Sequence, residues 1–166
     1  MRAFAVLACL LLMAACARTD PAASGPGAAA GDRPAAGTGA ATDYSPGTQA
    51  ALAAEAGDTV YFAFDSAVLR APSQRVLRQQ AAWLERNAGA RVIVEGHADE
   101  RGTRDYNLAL GARRAEAVRT FLVGLGIAPD RVETISYGEE RPAVAGSGEE
   151  AWARNRRAVT RIEAVS

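Results

Sequence analysis

Glu95, His97 and Asp99 alternate through the end of an apolar run, RVIVEGHAD, and Arg114 follows Asp99 by fifteen residues. Alternate positions on an extended chain share a face, so polar groups gather where the run ends. Two kinds of chemistry are open to them. Glu95, His97 and Asp99 are residue types of a hydrolytic or metal-assisted site, but a catalytic zinc usually draws on more than one imidazole and the chain has a single His. Alternatively, Asp99 and Arg114 together suit a zwitterion. Asp99 would accept from an ammonium group while Arg114 donates paired N–H groups to a carboxylate, each charge-assisted bond contributing ~1.5–3 kcal/mol. Spacing alone favours a plainer outcome, an internal salt bridge between the two.

Both residues need elements to carry them. TVYFAF (59–64) is a β-branched and aromatic run that reads as a strand ending at Asp65-Ser66. SQRVLRQQAAWLERNAG (73–89) spaces Val76, Leu77, Ala81 and Leu84 as a helix, with Ser73 to cap its start and Gly89 its end. RVIVEGHA reads as a second, buried strand. YNLALGARRAEAVRTFLVGLG (106–126) puts Leu108, Ala112, Ala115, Val118, Leu122 and Leu125 on one stripe of a helix closing at Gly124 or Gly126. Gly111 inside it costs ~1 kcal/mol relative to Ala, so close packing is expected there. RVETISYG is a third strand and RRAVTRIEAV a weaker fourth, with a helical turn expected near Glu150 to Asn155.

The order β-α-β-α-β-β predicts an α/β chain, an α+β sandwich with both helices on one face of a small mixed sheet. Two strand-helix-strand units imply parallel pairing with right-handed crossovers, the last strand being free to run antiparallel. The polar stretch GHADERGTRDYN (96–107) then joins the second strand to the second helix. Loops at strand carboxyl ends are where such sheets hold ligands. Arg114 stands about two turns into the helix, roughly 10 Å along its axis, and a helix doubling back over the sheet carries it toward that loop.

The front of the chain differs. MRAFAVLACLLLMAACAR has the proportions of a secretory signal and is too short for a membrane span of ~20 residues. Both cysteines lie in it, and Cys16 after Met13-Ala14-Ala15 resembles a bacterial lipoprotein signal. Residues 1–15 are thus expected to be removed and Cys16 lipidated, leaving no thiol for disulfide, metal or catalysis. From 16 to 50 the chain is rich in Ala, Gly and Pro, a composition that cannot offset the entropy of ordering; as a flexible tether it reaches about 30–35 Å on average. Residues 51–166 form the expected domain. The 19 acidic and 19 basic residues of the whole chain, the latter all Arg, cancel and offer no footprint for nucleic acid.

YFAFDS, VEGHADERGTRDYNLALGARRAEAV, SYGEERP and AWARNRRAV, together with Cys16, resemble the peptidoglycan-associated lipoproteins of Gram-negative bacteria, the lipidated branch of the OmpA-like domain family. The resemblance spans most of Val60 to Ala164. It implies a non-enzymatic, cofactor-free domain that binds meso-diaminopimelate of the peptidoglycan stem peptide, whose side-chain end is a zwitterion. Asp99 and Arg114 match the family's principal charged contacts, Phe64 and Asp65 match the position after the first strand, and Arg101, Thr103, Asn107 and Leu110 match positions that close the pocket. Asn107 as a helix cap, Arg101 as a solvated side chain and Leu110 as core are the structural alternatives. The resemblance further implies an outer-membrane anchor at Cys16, a periplasmic domain, and partnership with TolB and other Tol proteins in envelope integrity and division. An OmpA-like lipoprotein outside the Tol machinery is the competing assignment. Without Lys, the chain has no amine for covalent attachment to the wall.

Overall fold

A computed structural model describes residues 47–163, so the signal, Cys16 and nearly all of the tether lie outside the described residues. The elements in order are α1 (Gln49–Glu55), β1 (Thr59–Tyr61), α2 (Ala71–Arg86), β2 (Val92–His97), α3 (Arg104–Gly124), a 3-10 turn (Pro129–Arg131), β3 (Val132–Gly138), α4 (Glu149–Asn155) and β4 (Arg157–Ile162). The four strands form one mixed sheet in the order β1-β4-β2-β3.

Only β2-α3-β3 makes the expected adjacent parallel pair, with Val92 beside Val132 and Val94 beside Thr134. β1 and β2 do not pair, which corrects the expectation of two such units. The last strand inserts between them, antiparallel to both, with Val60 beside Ala158 and Gly96 beside Ala158 from the other side. The strand that reads weakest is therefore central, and Ala158, Val159 and Thr160 are all buried.

β1 is also shorter than its sequence signal. Phe62 still donates to the Arg156 carbonyl, at 2.9 Å, but Ala63 and Phe64 leave the sheet. Helix α2 starts at Ala71, with Pro72 in its first turn where a missing N–H costs nothing. Ser73 is not its cap; the hydroxyl donates to the Tyr61 carbonyl at 2.9 Å and pins the helix to β1. The helix ends at Arg86, with Asn87 rather than Gly89 at its C-cap.

Helix α1 has no counterpart in the sequence reading and begins inside the stretch assigned to the tether. Thr48 caps it by accepting from the Ala51 N–H, and Ala51 and Leu52 are buried. Gln49 binds Asp58 and the Thr160 carbonyl through Nε2 and accepts from the Ile162 N–H, fastening α1 to β4.

The core lies between the helices and one face of the sheet: Leu77, Trp83 and Leu84 from α2 and Ala115, Val118 and Leu122 from α3 meet Val92, Val94, Val132 and Ala158. The buried side of α3 runs through Asn107, Leu110, Gly111, Arg114, Ala115, Val118 and Leu122. Leu108, Ala112 and Leu125 of the expected stripe are exposed, because polar and small residues hold much of the true inner face. Gly111 packs against Gly96 closely enough that a methyl on Gly96 would collide with the Gly111 carbonyl, and one on Gly111 with the Ser136 hydroxyl. This contact sets α3 over the carboxyl end of β2. Replacing Gly96 by Ala is expected to destabilise the domain by about 3 kcal/mol, the upper range for overpacking, read as a lower urea midpoint; an unchanged midpoint contradicts the close approach.

Candidate functional site

Gly111 and Arg114 are three residues apart and share a helix face, so the backbone contact at Gly96 also delivers Arg114 to the strand end. Its side chain is wholly buried. Nε donates to the Ser66 carbonyl at 2.9 Å, one terminal nitrogen to the His97 carbonyl at 2.7 Å and the other to the Ala63 carbonyl at 3.1 Å. The guanidinium thus ties the end of β2 to the loop after β1, and lies over the Phe62 ring, 5.3 Å from its centroid. Of the five N–H groups of an arginine, three are used. No carboxylate among the described residues stands within ion-pair distance of it. Burial pulls its pKa down to about 10, and the negative charge of Asp99 opposes that fall through space.

Asp99, also buried, accepts from two other arginines. Arg101 gives three bonds: its backbone N–H and Nε to Oδ1, both at 3.1 Å, and a terminal nitrogen to Oδ2 at 2.7 Å. Arg156 adds a fourth, to Oδ2 at 3.2 Å. Burial alone would raise the Asp99 carboxyl, but the bonds from Arg101 and Arg156 hold it below the ordinary carboxylate value. In place of the Asp99–Arg114 salt bridge that spacing alone favours, the structure has two separately held charges.

Both charges line one cleft of about 200 Å³, with Phe64, Asp65, Arg101, Gly102, Tyr106, Asn107 and Leu110. Seven of the eight residues singled out in the sequence meet there. The eighth, Thr103, is absent from the lining and caps α3 by accepting from the Tyr106 N–H at 3.2 Å. That role had been open to Asn107, which instead donates to Glu139 from within the helix. Asp65, at φ +49°, makes the left-handed turn that aims its carboxylate at the Tyr106 hydroxyl, a conformation Asp tolerates better than most residues. Arg101 is not merely solvated: its guanidinium lies between the Phe64 and Trp152 rings, 4.0 and 4.1 Å from their centroids.

Tyr106 and Arg156 were missed by the sequence reading. Arg156 reaches Asp99, the Phe62 carbonyl at 3.2 Å and Glu149 at 2.6 Å, because β4 lies between β1 and β2. Its signal is present in the NRRAV run but becomes readable only with that strand order.

A second hollow, of about 390 Å³, runs beside β1 and is lined by Tyr61, Pro72 and Val76 among others, with Arg70 and Arg156. It has no acidic residue in its lining and so offers no carboxylate to an ammonium group.

The OmpA family model matches residues 61–156. The chain belongs to the OmpA family. Within that family, the peptidoglycan-associated lipoprotein of Mesorhizobium japonicum is 51% identical over 126 residues, covering 76% of this chain and 73% of the relative. That of Pseudomonas aeruginosa is 47% identical over 158 residues, covering 93% and 92%. The crystal structure of the peptidoglycan-associated lipoprotein from Burkholderia pseudomallei superposes with a TM-score of 0.62 at 42% identity, over 64% of this chain and 90% of that one.

His97 lies outside the cleft. Its ring stacks on Tyr137 at 5.6 Å, is almost wholly buried, and neither nitrogen has a hydrogen-bond partner, so it is a core ring and not a side chain that hydrogen-bonds beside the pocket. Burial, then the charges of Arg157, Arg141 and Arg161, lower its pKa from 6.5 to about 4. The folded ring stays neutral while the unfolded one binds a proton below about pH 6.5, so its contribution to stability is full above that pH and is lost as pH falls toward 4. Between pH 7 and 4.5 the wild type should lose about 2 kcal/mol more than His97→Phe, measured by urea unfolding at both pH values; equal losses would contradict the burial argument.

Proposed function

We propose that this chain holds peptidoglycan without a covalent bond, its cleft taking the zwitterionic side-chain end of meso-diaminopimelate in the stem peptide. The observation that carries the proposal is the buried Arg114 guanidinium, which has only carbonyl partners and shares a cleft with Asp99. Buried charges are normally paired, and a cation held on dipoles with two N–H groups unused is prepared for an anion. A ligand carboxylate supplies one. The ligand's ammonium group answers Asp99 a short way along the same cleft. The names of the relatives support the choice of wall polymer.

Binding, with no bond made or broken, is the whole of the chemistry. A single small site of this kind typically gives micromolar affinity, about −8 kcal/mol, and many tethered copies facing a repetitive polymer raise the effective strength. In this reading residues 1–15 are a signal, Cys16 carries lipid in the outer membrane, and residues 16–50 let the domain reach the wall from the periplasmic side. Among the described residues no helix is long and apolar enough to cross a membrane; in this reading the anchor is the lipid at Cys16. The same reading includes the Tol system: exchange between wall and TolB would make the outer membrane follow the septum at division.

Arg114→Ala would leave three carbonyls without their donor and confuse binding with folding, so the test uses gentler changes. Asp99→Asn and Arg114→Lys are each expected to reduce co-sedimentation with purified peptidoglycan at least tenfold while retaining the wild-type circular dichroism spectrum. Wild-type co-sedimentation by both variants would refute the site.

A further inference from the structure

The four donors on Asp99 fill the acceptor positions of its carboxylate. An incoming ammonium group must therefore displace one of them. Arg156 is the fixed partner: it is buried and also held by the Phe62 carbonyl and Glu149. Arg101 is the movable one, with its side chain 30% exposed and lying between two rings at the mouth of the cleft. Phe64 is itself an exposed side chain. The opposite ring belongs to Trp152 on α4, whose indole N–H donates to Glu100 at 3.0 Å, and Glu149 stands 3.8 Å from the same guanidinium. Arg101 thus occupies the place an ammonium ligand would take, and it has somewhere to rest when displaced.

Building on the functional reading above, we propose that Arg101 is the specificity-determining residue of the site, an internal cation that a ligand must exchange with and that admits zwitterions over simple amines. A ligand with only an amine trades one cation on Asp99 for another and leaves the guanidinium of Arg101 with only the exposed Glu149 in place of the buried Asp99 carboxylate. The exchange then brings little net gain. A ligand that carries a carboxylate beside its ammonium gives the displaced Arg101 a new anion at the mouth and gives the unused N–H groups of Arg114 one at the floor. Discrimination against amines comes from the competitor, as specificity often does from an element set against the wrong partner.

The test titrates the full-length chain and its Arg101→Ala variant with two stem peptides, one ending in meso-diaminopimelate and one in lysine, which has the amine without the second carboxylate. Asp99 keeps Arg156 and the residue 101 N–H in the variant, so its charge stays compensated. The variant is expected to bind the lysine peptide at least tenfold more tightly than the wild type does, and its preference for the diaminopimelate peptide should narrow at least fivefold. Mere loosening of the loop would weaken both peptides together. Lysine-peptide binding no tighter in the variant than in the wild type, or an unchanged preference, overturns the role given to Arg101 while leaving the wall-binding reading intact. Failure of the wild type to bind either peptide overturns that reading, and this inference with it.

Discussion

Arg114 is the constraint on which the rest of the site depends. A guanidinium out of reach of water carries a large desolvation cost, offset here by carbonyls drawn from two segments distant in sequence: Ala63 and Ser66 after β1, and His97 at the end of β2. Without it the buried His97 carbonyl would lose this donor inside the protein, and the loop carbonyls would lose theirs. Each side therefore satisfies the other, and the loop that presents Phe64 and Asp65 is fixed relative to the loop that presents Asp99. The close approach of Gly96 and Gly111 is the steric counterpart of this bond, because Arg114 reaches the strand end only if α3 comes that near the sheet.

The two charges of the cleft are prepared in different ways. Arg114 is held by dipoles and stays short of negative charge, whereas Asp99 is surrounded by positive charge from Arg101 and Arg156. Were they paired with each other, neither would have reason to accept a ligand. Separation of the pair by other partners is what turns a structural salt bridge into a site. In the proposed reading, the same logic lets a neutral chain with 19 charges of each sign recognise a charged ligand: selectivity resides in a few fixed groups, with no net field to attract it.

Much of the fold was legible because α2, α3, β2 and β3 have strong periodic signals. Most of the cleft was legible too, since Asp99 through Leu110 lie in one continuous stretch. What escaped notice has a common cause. Strand order is a property of space that local pattern does not encode, so the central place of β4 was hidden, and with it the contact between Arg156 and Asp99. The stripe assigned to α3 held at Ala115, Val118 and Leu122 but was misplaced toward the helix start for a related reason: Asn107 and Arg114 sit on the buried face, so hydrophobicity pointed to Leu108 and Ala112 instead. Local rules failed where the site overrides them. Helix α1 was missed because its Ala-rich sequence continues the composition of the segment before it, and its fastening through Gln49 depends on β4.

The central claim is that Asp99 and Arg114 hold opposite poles of one ligand. A crystal structure of the chain with a stem peptide ending in meso-diaminopimelate tests it most directly. The account predicts the side-chain ammonium on the Asp99 carboxylate and the neighbouring carboxylate on the Arg114 guanidinium, within the cleft bounded by Phe64, Tyr106 and Leu110. A peptide seated beside β1 or on another surface, with Asp99 and Arg114 untouched, would contradict it.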